Sequence, residues 1–247
     1  DIAVPIRVQF RDAANVEIRL AHVEGVNLES RTLVGDGHEI RFDYLILACG
    51  ARHSYFGHPE WEEFAPGLRT LEQATEIRRR ILTAFERAES EADPVRQAAY
   101  LTFVVVGGGP TGVELAGAIA DISRTAMRGD FRRIDPSKSH IVLVEAAPRV
   151  LTTFSEELSE RARLQLERLG VTVWLGRRVT GIDARGVQMG GERLEANTVI
   201  WCAGVAGSPI GATLGVPLDR AGRVIVEPDL SVPGHPEVQV VGDLALL

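Results

Sequence analysis

The stretch that most constrains this chain is Leu101–Ile122, LTFVVVGGGPTGVELAGAIADI. Its short apolar run Phe103–Val106 reads as a strand buried on both faces, as parallel strands are. Three glycines follow at the G-x-G-x-x-G spacing, Gly107, Gly109 and Gly112, and then a helical run with small or apolar residues at Val113, Ala116, Gly117 and Ala120. In such a unit the first glycine allows the tight turn, the second lets backbone approach a pyrophosphate, and the third lets helix and strand pack closely. The diphosphate would sit on the free N–H groups and positive dipole end of a helix beginning near Pro110. A glycine pattern alone is weak evidence, but this one has its strand before it and its helix after it.

A second apolar strand, His140–Val144, leads into Glu145, where a carboxylate would take both hydroxyls of an adenosine ribose. Glu145 lies well beyond the roughly 20 residues that usually separate such an acid from the glycines. The excess is the polar stretch Ser123–Ser139, read as a helix extension plus loop. The plainer alternative is that Glu145 only ends a strand and caps the next turn. A carboxylate there repels a 2′-phosphate and so favours NADH over NADPH, with nearby Arg149 working against that preference.

A chain of 247 residues holds one large domain or two modest ones, and 25 glycines suit an α/β protein with many tight turns. A net charge of −7 argues against nucleic acid as a partner. No apolar run is long enough to span a membrane, and the N-terminus lacks the pattern of a signal peptide. Cys49 and Cys202 are too far apart for C-x-x-C chemistry and read as buried small residues of a cytoplasmic protein. The six histidines show no metal-ligand spacing. The Arg78-Arg79-Arg80 run reads as a solvated helix face.

Along the chain, Ile6–Phe10, Val16–Leu20, Ala21–Leu28, Arg31–Val34 and Glu39–Phe42 read as short strands of an antiparallel meander, with a turn at Gly35-Asp36-Gly37. Two similar segments follow, each a buried strand stopped by a small-residue turn. They are Asp43–Ala51, ending at Gly50, and Asn197–Val205, ending at Ala203-Gly204. Residues 52–70, rich in Gly, Pro and aromatics, read as a crossing linker. Thr70 caps a helix running to Glu91 with an apolar stripe of Ile77, Ile81, Leu82 and Phe85, and Ser155 caps another from Glu156 to Leu169, ended by Gly170. Strand Val171–Leu175, a hairpin region at Val179–Arg193, and strands at Arg223–Val226 and Val238–Val241 complete the reading.

These segments resemble the flavin-dependent pyridine nucleotide-disulfide oxidoreductases, most closely the type II NADH dehydrogenases that pass electrons from NADH through FAD to a quinone. The motifs are VVVGGGPTGVELAG (104–117), IVLVEAAPRVLTTFSEELS (141–159), VIWCAGV (199–205) and VVGDLA (240–245), together with LILACGA (45–51). The resemblance implies an α/β fold. A Rossmann-like three-layer NADH-binding domain, residues 68–205, would be inserted in a partial FAD-binding domain made of residues 1–67, with its meander, and 206–247. It implies that Gly107, Gly108, Gly109, Pro110, Thr111 and Gly112 hold the pyrophosphate and Glu145 the adenosine ribose. Ala203 and Gly204 would lie against the nicotinamide, and Asp243 would bond the ribityl chain of FAD. Glu114 matches a glutamate the family places near nicotinamide and flavin, although an acid early in a helix can simply complement the dipole.

The family also begins with a G-x-G-x-x-G for FAD and continues past Gly242-Asp243 into a helix, a quinone-site region and a membrane-binding C-terminal helix. The sequence holds none of these. The expectation is an internal piece of a longer enzyme that binds NADH, holds FAD weakly or not at all, and does not turn over alone. The parent would be peripheral on the cytoplasmic face of the inner membrane. Exposed apolar edges in residues 1–51 would favour a homodimer. Two other readings stay open: an NADH-dependent reductase with a protein acceptor, of the ferredoxin, rubredoxin or nitrite reductase kind, and a module that senses NADH without catalysis.

Overall fold

The computed structural model describes residues 4–247; Asp1–Ala3 lie outside the described residues. The chain divides into two compact units, one of residues 53–205 and one formed by residues up to 52 with 206–247.

The larger unit is built on four parallel strands: β1 Thr102–Val106, β2 His140–Val144, β3 Val171–Trp174 and β4 Thr198–Trp201, in the order β4-β1-β2-β3. Because neighbouring side chains of a strand point to opposite faces, each strand feeds two cores. Phe103, Val105, Ile141, Leu143, Val171 and Ile200 meet a layer of three helices, α1 Leu71–Ser90, α2 Pro110–Asp121 and α3 Glu156–Arg168. Val104, Val106, Val142, Val144, Val199 and Trp201 meet the opposite layer. There, Ile182, Val187 and Met189 come from a three-stranded antiparallel sheet of Gly181–Asp183, Gly186–Met189 and Glu192–Glu195. The result is three layers with the parallel sheet in the middle, the fold class that the sequence implies.

Local chemistry explains the helix boundaries. Thr70 caps α1 in a reciprocal capping box with Gln73, and Ser155 caps α3 by accepting from the Leu158 N–H. Pro110 stands at the first position of α2, where its missing N–H costs nothing. A π turn at Ile122–Ala126 ends α2, and the polar stretch after it is tied to α1: the Glu89 carboxylate accepts from the N–H groups of Arg132, Arg133 and Ile134. A short helix at Pro94–Tyr100, capped by Asp93, has no counterpart in the sequence reading. The unit begins at His53, not after residue 67, because Tyr55, Trp61 and Ala65 are buried in the second core beside Trp201.

The smaller unit has its own core of Val26, Leu45, Leu47, Ile210, Leu214, Val224, Val232, Val238, Val240 and Leu244. Gly25–Asn27, Thr32–Gly35 and His38–Arg41 form the antiparallel meander, its second hairpin turned by Asp36 and Gly37, both left-handed. The strand expected at Ile6–Phe10 is instead a helical turn, Ile6–Gln9, with no residue buried, and no strand forms at Val16–Leu20. Both segments alternate apolar and polar residues, but alternation makes a strand only where a neighbour accepts its hydrogen bonds. Leu45–Leu47 pairs in parallel with the Val238–Val240 part of strand His235–Val240.

Candidate functional site

The C-terminal ends of β1–β4 open onto a cavity of about 800 Å³, lined by Val106 and Gly107, Val144 and Glu145, Arg177–Thr180 and Trp201–Val205, with Phe56, His58 and Trp61 closing one side. Ligands of open α/β sheets bind at this edge, and the volume is that of a cofactor site.

The glycines of the β1–α2 turn have three different reasons to be there. Gly107 is left-handed (φ 110°), and a Cβ on it would lie 2.6 Å from the Ala203 N and 2.7 Å from the Cys202 carbonyl carbon, so the turn passes directly against the chain leaving β4. A Cβ on Gly112 would meet the Gly107 carbonyl oxygen, so helix and turn touch backbone to backbone. Gly109 is neither strained nor crowded: its φ is −73° and its Cβ would meet nothing within 4 Å. Nothing in the protein itself demands glycine at 109, and the space it leaves opens into the cavity at the N-terminus of α2. Pro110 and Thr111 line the same opening. Gly108 is buried behind it.

Glu145 is half-buried at the end of β2. Its Oε2 accepts from the Gly108 N–H at 2.5 Å and its Oε1 from the Ala147 N–H at 2.7 Å. The carboxylate therefore braces the glycine turn, as the plainer reading of a strand-end cap expects. Each oxygen nevertheless keeps one further acceptor site, a pair suited to a vicinal diol. Arg149 is occupied elsewhere, donating to the carbonyls of Leu151, Thr152 and Phe154, and does not line the cavity.

At the opposite end Ala203 and Gly204 line the cavity beside Trp201, whose Nε1–H donates to the Ser54 carbonyl at 3.0 Å. Tyr55 stacks on Trp201 with centroids 5.1 Å apart and donates to the Ala65 carbonyl. Burial first, and then the Glu62 charge, push the Tyr55 hydroxyl up to about 12, so it stays protonated. Burial also pushes the Cys202 thiol up to about 12; it is an unreactive thiol at neutral pH.

Two of the residues singled out from sequence stand apart. Glu114 is exposed on α2, beyond a first turn that contains no acid, and is not among the cavity-lining residues. It therefore does not complement the helix end. Asp243 is exposed in the smaller unit, on the turn Gly242–Leu244. Sequence reasoning missed Arg177 and Arg178, which follow β3 and give the cavity its cationic rim, and the aromatic wall of Phe56, His58 and Trp61. The concentration of aromatics in residues 52–70 was the available signal. Among the described residues no three His, Cys, Asp or Glu side chains converge as metal ligands.

The family model for pyridine nucleotide-disulphide oxidoreductases matches residues 5–246. The chain is 45% identical to the type II NADH:quinone oxidoreductase Ndh of Mycobacterium tuberculosis, over 99% of its own length and 56% of that protein. It is 44% identical to NdhA of the same organism, over 99% and 55%. The chain thus spans just over half the length of these relatives. Among solved structures, NDH2 of Plasmodium falciparum in complex with NADH superposes with a TM-score of 0.79 at 22% identity, covering 91% of this chain and 49% of that one. A ferredoxin reductase from Rhodopseudomonas palustris gives 0.74 at 25% identity, covering 98% and 54%. The strand–glycine–helix turn, the three layers and these matches together make the chain a member of the pyridine nucleotide-disulphide oxidoreductase family.

Proposed function

We infer that this chain is the NADH-binding part of an FAD-dependent NADH:quinone oxidoreductase. The observation that carries the reading is Gly109: a glycine that neither backbone conformation nor packing requires, facing a cavity at a helix N-terminus. A pyrophosphate fills that space, accepting from the free N–H groups of α2. The rest of the dinucleotide then runs with adenosine ribose on the spare acceptor sites of Glu145, adenine toward Arg177 and Arg178, and nicotinamide toward Ala203 and Gly204, a path that the order of the strand ends along the cavity supports. A carboxylate that already takes two N–H groups offers nothing to a 2′-phosphate, which supports NADH over NADPH.

In the smaller unit, paired parallel strands end near Gly50 and Gly242, both left-handed with open space where a Cβ would project. Open backbone of that kind fits a flavin's ribityl chain, with Asp243 as its partner. A flavin held there would supply the acceptor for hydride; the task of this chain's residues is to bind and orient the dihydronicotinamide. On the likeness of its motif alone, Glu114 is proposed to act near nicotinamide and flavin; it does not line this cavity. Quinone as final acceptor is supported by the names of the two mycobacterial relatives. The likeness to a ferredoxin reductase supports a protein acceptor as the second reading. Steady-state NADH oxidation by the full-length, FAD-loaded protein that contains this sequence, with a soluble quinone or with ferredoxin as acceptor, separates them. Turnover with quinone and none with ferredoxin is expected; the reverse overturns the quinone assignment.

A further inference from the structure

The turn Tyr55–His58 closes through a hydrogen bond from the His58 N–H to the Tyr55 carbonyl, with Phe56 and Gly57 at its centre at φ 52° and 91°. Two positive φ angles define a tight turn that normally takes Asn-Gly or Asp-Gly. A bulky aromatic at its first central position is held in a conformation that L-residues avoid. Such strain persists only where the surrounding structure over-determines it, and it clusters at ligand sites; Phe56 is 66% exposed, so burial of its ring does not account for it. It is also held firmly in place. The Ser54 N–H donates to the Gly204 carbonyl, the Trp201 indole N–H donates to the Ser54 carbonyl, and the Phe56 ring meets Trp201 edge-on at 6.0 Å. A Cβ on Gly204 would lie 2.8 Å from the ring, so a glycine is needed there to let the ring lie over the loop after β4.

We propose that Phe56 is an aromatic cover over the nicotinamide end of the cavity, positioning the dihydronicotinamide ring and excluding water from it. The proposal rests on the dinucleotide reading above. An exposed, strained ring fixed over Gly204 and beside Trp201 offers a flat apolar partner to a flat ligand ring, and backbone strain of this kind clusters at ligand sites. The adenosine end, at Glu145 and Arg177, lies at other strand ends and makes no use of it.

The test compares NADH with ADP-ribose, which lacks the nicotinamide, by calorimetric titration of the 247-residue chain and its Phe56→Gly and Phe56→Leu variants. For Phe56→Gly, NADH affinity falls about tenfold, the scale of one lost aromatic contact, while ADP-ribose affinity stays within about twofold. Its melting temperature does not fall, because glycine relieves the positive φ. Phe56→Leu, which keeps an apolar side chain without the flat ring, also weakens NADH alone. Unchanged NADH affinity in both variants overturns the proposal. So does an equal loss for both ligands with a lower melting temperature, since the ring would then only support the fold. If the parent chain binds neither ligand, the dinucleotide reading itself fails and the cover fails with it.

Discussion

Replacing Glu145 by Gln is the substitution whose consequences the structure defines most closely. The carboxylate accepts two backbone N–H groups, from Gly108 and Ala147, on opposite oxygens. An amide of the same shape has one acceptor and one donor, so whichever way it turns, one N–H faces another N–H. Leaving a donor unsatisfied costs about 1–3 kcal/mol, and the surviving bond loses its charge assistance, about 1 kcal/mol more. Because Glu145 is half-buried and water reaches it from the cavity, the lower part of that range applies, about 2–3 kcal/mol. At 2–4 °C per kcal/mol for a chain of this size, the melting temperature drops by roughly 5–10 °C. The ligand senses the same change: a ribose diol meets one neutral acceptor where it had two charged ones, which weakens NADH roughly ten- to thirtyfold, about 1.4–2 kcal/mol. The preference over NADPH narrows, since the charge opposing a 2′-phosphate is gone. Thermal melts and NADH and NADPH titrations of the same preparation read all three effects. A melting temperature within about 1 °C of the parent would refute the bracing role. A clear drop in melting temperature with unchanged NADH affinity would show that Glu145 is a structural cap and nothing more.

Two further outcomes follow from named contacts. Gly107→Ala combines a positive φ with a Cβ 2.6 Å from the Ala203 backbone. It should therefore cost at least about 3 kcal/mol, seen as a melting-temperature drop of roughly 10 °C or failure to fold; a drop under about 3 °C would count against the close approach. Hydrogen bonds from Arg79 and then Arg80 pull the Glu76 carboxyl down to about 2. A depressed folded value means that the stabilisation is complete above the ordinary carboxylate value of 4.5 and disappears as pH falls from there toward about 2. Glu76→Gln should accordingly melt below the parent at pH 7, and the gap should close by about pH 2; a gap that stays constant over that range contradicts the ion-pair account.

The parts of the fold that were legible in sequence are those whose signals are contiguous. β1, the glycines and α2 form one unbroken stretch, and Thr70 and Ser155 declare their helices because a cap bonds within three residues of itself. The meander was readable from Ala21–Leu28 onward, with Asp36-Gly37 turning its second hairpin, but not at Ile6–Phe10 or Val16–Leu20, where an alternating pattern has no partner strand. The cavity was half legible. Gly107 and Gly109 are legible from their spacing, and Glu145 from its place at the end of an apolar strand. Arg177 and Arg178 reach the site only because β3 ends beside β2, and Phe56 only because its turn docks against Gly204. That docking depends on hydrogen bonds between residues far apart in the chain, a kind of information that local pattern does not hold. The same long-range burial draws residues 53–67 into the larger unit, although their composition reads as linker.

The most direct test of the account is a calorimetric titration of the 247-residue chain and its Gly109→Ala variant with NADH, alongside their melting curves. Gly109 has ordinary backbone angles and open space, so alanine should leave the melting temperature within about 2 °C of the parent. Its methyl group should nevertheless intrude where the pyrophosphate lies. Saturable one-to-one binding by the parent, weakened at least tenfold or about 1.4 kcal/mol in the variant, is the predicted result. Equal NADH affinity in both proteins, or no binding by the parent, would contradict the claim that this turn holds a dinucleotide.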